Sequence, residues 1–123
     1  MNIDTIIIDY GMGNIGSIIN MLKKIGYQSK PSSDLSDIKK ASKLILPGVG
    51  NYKYAMQNLN ELGIIETIKN KINDGTPFLG ICLGMQLLSD YSEEGNVKGL
   101  GIIPGRVIKF QKLNNYKIPH MGW

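Results

Sequence analysis

The segment Gly80-Ile81-Cys82-Leu83-Gly84 sets the only cysteine of the chain between two glycines. It is the thiol counterpart of a G-x-S-x-G elbow, where a tight strand-to-helix turn projects a nucleophile into the open. The helix behind such a turn offers backbone N–H groups and a positive dipole end, and both favour thiolate over thiol. A lone cysteine at a strand end also has a plainer use as a small buried hydrophobe. Pro47-Gly48-Val49-Gly50 stands at the end of another apolar run. Two glycines around one residue permit a peptide flip and leave N–H groups for an oxyanion, where one donor is worth ~3 kcal/mol of barrier. An ordinary glycine-rich turn has the same letters. Placed at one sheet edge, the two motifs support each other as nucleophile and oxyanion site.

A thiol nucleophile needs a base, and His120 is the only histidine. Its neighbours Pro119, Met121 and Trp123 read instead as a contact surface. Glu93 and Glu94 read as loop carboxylates in water. Gly11, Gly13 and Gly16 spell G-x-G-x-x-G, but Gln28-Ser29-Lys30-Pro31 stands where a dinucleotide fold ends its second strand with an acid. We therefore read Tyr10-Gly11-Met12-Gly13-Asn14 as a close-approach turn, with no cofactor.

The elements that must hold these turns follow from periodicity. Ile3 to Asp9 and Lys43 to Leu46 are predicted buried strands and Pro77 to Ile81 the next strand, with a weaker one over Tyr27 to Lys30. Asn14 caps a helix whose Ile15, Ile18, Ile19, Leu22 and Ile25 keep helical spacing up to Gly26. A short helix runs from Ser33-Asp34 to Lys40. A longer one carries Ala55, Met56, Leu59 and Leu62, is interrupted at Gly63, and continues through Ile64, Ile65, Ile68 and Ile72. Another follows Cys82 as far as Leu88. Strands alternating with amphipathic helices predict a parallel sheet covered on both faces, an α/β fold. Beyond Ser92, Arg106 to Phe110 alternates as a half-buried strand, and Lys117-Ile118-Pro119 could begin another. Ligands gather outside the carboxyl ends of parallel strands, where all three glycine turns fall.

Composition narrows the function classes. The chain has 123 residues, 42% hydrophobic and 20% charged, which fits one α/β domain. One cysteine excludes an internal disulfide, and with one histidine it excludes a zinc cluster of those ligands. Met1-Asn2-Ile3-Asp4 lacks the basic start of a signal peptide, and no apolar run approaches the ~20 residues of a membrane span. The expected compartment is the cytoplasm. The net charge of +4 comes from scattered lysines and the single arginine Arg106, with no groove-reading motif. Nucleic acid is not an expected partner.

The motifs occur in one order: Tyr10-Gly11-Met12-Gly13-Asn14, Leu46-Pro47-Gly48-Val49-Gly50, Leu79-Gly80-Ile81-Cys82-Leu83-Gly84-Met85-Gln86-Leu87-Leu88, Ser92-Glu93-Glu94-Gly95 and Pro119-His120-Met121-Gly122-Trp123. In this the chain resembles, over its whole length, the glutamine amidotransferase subunits of imidazole glycerol phosphate synthase, triad-type glutaminases of histidine biosynthesis. The resemblance implies a three-layer, flavodoxin-like fold, with residues 1–123 forming part of a glutaminase domain. It implies that Cys82 attacks the side-chain amide of glutamine. The Leu83 N–H and a flipped peptide around Val49 and Gly50 hold the oxyanion, while Gly48, Gly50 and Gln86 line the substrate pocket. No metal or cofactor is implied. The ammonia passes to a (β/α)8-barrel cyclase, faced by Asn14, His120, Met121 and Trp123, which takes His120 away from the role of base. The family's His-x-Glu pair does not occur in these residues, so a C-terminally truncated chain, inactive alone, is expected. Two other readings stand beside this one: a non-catalytic remnant, and a paralogous amidotransferase serving surface-sugar amination.

Overall fold

Four short strands, the middle two rich in branched aliphatic side chains, build the central sheet of the computed structural model, which describes residues 4–110. They are β1 (Thr5–Ile8), β2 (Ser29–Ser32), β3 (Lys43–Leu46) and β4 (Phe78–Gly80), all parallel in the order β2-β1-β3-β4. Between them run α1 (Ile15–Lys24), α2 (Leu35–Lys40), α3 (Tyr52–Leu62) and α4 (Ile65–Asn73), and α5 (Leu83–Gln86) follows β4. The pleat sends Ile6, Ile8, Leu44 and Leu46 to one face, against Ile38 of α2, Leu59 of α3 and Ile68 of α4. Ile7 and Ile45 point the other way, beneath Ile18 of α1. Helices therefore lie on both sides of a parallel sheet, in three layers.

The helices begin where the sequence supplies caps. Asn14 Oδ1 accepts from the Ser17 N–H at 3.3 Å, and Asp34 Oδ1 from the Ser36 N–H at 2.7 Å. Gly63 does more than interrupt a helix. Its φ of +67° ends α3 in a left-handed cap, and α4 starts afresh on the same apolar stripe.

Past α5 the expected half-buried strand to Phe110 shrinks to β7 (Arg106–Val107), because the Lys109 N–H turns to the Glu93 carboxylate. It belongs to a second sheet with β5 (Tyr91–Ser92) and β6 (Val97–Lys98), in the order β6-β5-β7. The antiparallel β5–β6 pair went unforeseen. Its signal was Gly95-Asn96, two residues suited to the positive φ of 81° and 50° that close the hairpin. The strand expected over Tyr27 to Lys30 lies two residues later, and the Lys117-Ile118-Pro119 segment lies outside the described residues.

Among the described residues β4 pairs only with β3, and Leu79 remains 54% exposed. It borders an apolar groove of about 280 Å³ with Leu22, Ile25, Tyr27 and Ile45. An exposed apolar edge strand recruits other strands. A polypeptide of residues 1–123 is therefore expected to self-associate, and Leu79→Lys to shift it toward monomer, as charge on an edge does. Sedimentation velocity checks this. A monomer with a cooperative melt above ~45 °C would contradict the edge argument.

Candidate active site

The bend at Cys82 is enforced from both sides. A Cβ on Gly80 would stand 2.8 Å from Met85 Cα, so the chain leaving β4 turns back on itself with no room for a side chain. Cys82 takes φ 55° and ψ −116°, a conformation that costs a non-glycine residue ~1–3 kcal/mol. The surrounding backbone holds it there. The Ile81 N–H donates to the Leu46 carbonyl at 2.9 Å, and the Gly84 N–H to the Ile81 carbonyl at 2.9 Å. The Leu83 N–H donates to the Gly48 carbonyl at 3.2 Å. Under this strain the thiol is exposed at the sheet's carboxyl edge, which removes the reading as a buried hydrophobe. Among the described residues no side chain hydrogen-bonds its sulfur.

The helix behind the elbow is shorter than expected. α5 is a single turn ending at Gln86, not a helix through Leu88. The Ser89 N–H bonds to the Gln86 carbonyl at 3.0 Å, and the Ser89 hydroxyl takes the same oxygen at 2.7 Å. That tightens and ends the turn. The dipole offered to Cys82 is correspondingly small.

The glycine turn after β3 lies directly alongside. Buried Tyr10 donates its hydroxyl to the Pro47 carbonyl, and burial pushes the phenol well up, so it stays a donor at any physiological pH. Gly48 must be glycine, since a Cβ there would strike that hydroxyl and crowd Gly84 N at 3.0 Å. A Cβ on Gly13 would lie 3.1 Å from Gly48 N, so the glycine loop after β1 is a close approach to this turn. Gly50 has φ +124°. One expected oxyanion donor is already engaged, because the Leu83 N–H holds the Gly48 carbonyl. The expected flip was placed around Val49 and Gly50, whereas the carbonyl that engages Leu83 belongs to the Gly48–Val49 peptide. Half a rotation of the Gly48–Val49 peptide would withdraw the oxygen, free the Leu83 N–H and present the Val49 N–H.

Gln86 lies one helical turn beyond the nucleophile, its N–H on the Cys82 carbonyl at 3.1 Å. It lines a cavity of about 510 Å³ with Glu93, Glu94, Val107, Ile108, Lys109 and Phe110, but without Gly48 or Gly50. Glu93 and Glu94 are exposed turn carboxylates, as expected, but the hydrogen bonds they accept were not foreseen. Glu93 accepts from the Lys109 N–H at 3.0 Å, and Glu94 Oε1 from Asn51 Nδ2 at 3.1 Å. The missed signal was Ser92-Glu93-Glu94-Gly95 itself, a turn in which the Ser92 hydroxyl accepts from the Glu94 N–H at 3.0 Å. Asn14 caps α1 at the same carboxyl edge, whereas His120, Met121 and Trp123 lie outside the described residues.

Residues 6–123 match the family model described as glutamine amidotransferase class-I. The chain belongs to that family. It is 56% identical over 118 residues to the imidazole glycerol phosphate synthase subunit HisH 2 of Methanococcus maripaludis, covering 95% of this chain and 58% of that protein. The subunit HisH of Geobacillus sp. WCH70 is 50% identical over 122 residues, again with 95% and 58% covered. The amidotransferase chain thus spans rather more than half the length of these relatives. A crystal structure of a glutamine amidotransferase superposes with a TM-score of 0.69 at 20% identity, covering 84% of this chain and 55% of the other. That likeness shows the same three-layer amidotransferase fold. Among the described residues no helix is long and apolar enough to cross a membrane.

Proposed function

We propose that this amidotransferase hydrolyses glutamine and hands the ammonia to the cyclase subunit of imidazole glycerol phosphate synthase, as one half of a cytoplasmic heterodimer in histidine biosynthesis. The observation that carries the reading is the strained, exposed thiol of Cys82 beside the Gly48–Gly50 turn. The names and identities of the relatives favour this acceptor over a surface sugar.

The Cys82 sulfur attacks the amide carbon of glutamine, and the carbonyl electrons move onto oxygen. The Leu83 N–H and the turned Val49 N–H hold that charge, with Gly50 free to adopt the φ the turn requires. Collapse of the intermediate breaks the C–N bond, and the nitrogen leaves as ammonia after gaining a proton. Water then cleaves the glutamyl thioester to glutamate and restores the thiol. The proton transfers call for a base, and His120 belongs to the partner-facing segment with Met121, Trp123 and Asn14. Gln86, one turn beyond the nucleophile, is assigned to the glutamine backbone. Glu94 keeps Oε2 for the substrate ammonium, because Asn51 takes Oε1.

The full chain mixed with the cyclase should release one glutamate for each cyclised product formed from glutamine. Glutamine turnover that never reaches the cyclase would redirect the assignment to the sugar-aminating paralogue. No glutamate at all would overturn the glutaminase reading.

A further inference from the structure

Asn51 stands immediately after the oxyanion turn, and its side chain faces two ways. Its Oδ1 accepts from the Lys53 N–H at 2.9 Å and the Tyr54 N–H at 3.2 Å, which fixes the start of α3. Its Nδ2 donates to Glu94 Oε1 at 3.1 Å, across 43 residues of sequence. A second contact joins the same two pieces: a Cβ on Gly95 would come within 2.7 Å of Lys53 Cβ. The hairpin turn between β5 and β6 is thereby seated on the first turn of α3. One amide thus connects the peptide that must rotate with the carboxylate that lines the cavity.

We infer that Asn51 is a positioning residue for glutamine: it holds the Glu94 carboxylate and the end of the Gly48–Gly50 turn in one frame. The inference rests on the glutaminase reading and deepens it. The Asn51 bond fixes the Glu94 carboxylate by one oxygen and leaves the other for a substrate ammonium. The helix cap keeps the amide from following Glu94 when the carboxylate moves. Substrate seated on Glu94 is therefore referenced to the backbone that completes the oxyanion site, and not to a free side chain.

The cap and the tether separate by mutation. Asn51→Ser and Asn51→Asp both retain an oxygen for the α3 cap; aspartate offers Glu94 no donor, and serine lacks the amide nitrogen that reaches it. In the full chain both should raise amide exchange at Glu93, Glu94 and Asn96 several-fold while α3 keeps its protection. Asn51→Asp combined with Glu94→Gln swaps donor and acceptor and should restore that protection. In turnover with the cyclase present, Asn51→Ser should lower kcat/KM about tenfold, mainly through KM. The swapped pair should not recover KM, because the charge that meets the ammonium is gone. Unchanged exchange in Asn51→Ser, or changed exchange with a wild-type KM, overturns the inference. A wild-type chain with no Cys82-dependent turnover overturns the glutaminase reading instead, and the exchange measurements then decide the tether by themselves.

Discussion

Replacing Cys82 by alanine is expected to lower glutamine hydrolysis by the full chain about 10⁶-fold, the loss seen when a triad enzyme is deprived of its nucleophile. The magnitude follows from the route. Without the sulfur there is no thioester, and the amide must be attacked by water in one harder step. A second consequence separates chemistry from folding. Cys82 pays for its exposure with a φ of 55°, and glycine takes that conformation freely. Cys82→Gly should therefore be as inactive as Cys82→Ala yet melt at a temperature no lower than the parent chain. Ammonia release and thermal melts on the same preparations check both statements. Turnover of Cys82→Ala above about one hundredth of the parent rate would remove Cys82 from the nucleophile's role.

The legible part of the fold was the part written in local pattern. Ile6, Ile7 and Ile8 in one unbroken run declare a strand buried on both faces, and Asn14, Asp34 and Gly63 mark helix ends by capping chemistry alone. The elbow was legible for the same reason. Gly80 and Gly84 flank the cysteine because no Cβ fits there, and that constraint is visible as two letters. What escaped was set by distant partners. The Leu83 N–H reads as a free oxyanion donor until the Gly48 carbonyl, brought in by β3–β4 pairing, is seen to hold it. Glu93 and Glu94 are solvated as they read, but no periodicity encodes the Asn51–Glu94 bond or the cavity they share with Gln86. Of the second sheet only β7 lay within an alternating run; β5 and β6 are two residues each, too short for any alternation to register.

The largest loss of stability is expected at Gly84. A Cβ there would collide with the Leu46 carbonyl oxygen, lie 2.7 Å from the Leu46 carbonyl carbon and 2.9 Å from the Pro47 oxygen. These are backbone atoms, so no rotamer change relieves the contact. The Leu46 oxygen is also the acceptor for the Ile81 N–H at 2.9 Å, and pushing it aside opens the bond that closes the elbow against β3. Overpacking of an ordinary core costs ~1–3 kcal/mol, and here a buried backbone hydrogen bond is lost with it. Gly84→Ala should therefore lower stability by about 4 kcal/mol or more, a large fraction of what a domain of this size possesses. Gly26 supplies the contrast. It has φ +91°, but a Cβ there would meet nothing within 4 Å, so Gly26→Ala bears backbone strain alone, about 1–2 kcal/mol. Denaturant unfolding of the full chain ranks the two. If Gly84→Ala proves no worse than Gly26→Ala, the elbow is not packed against the end of β3, and the close seating of Cys82 beside the oxyanion turn falls with it.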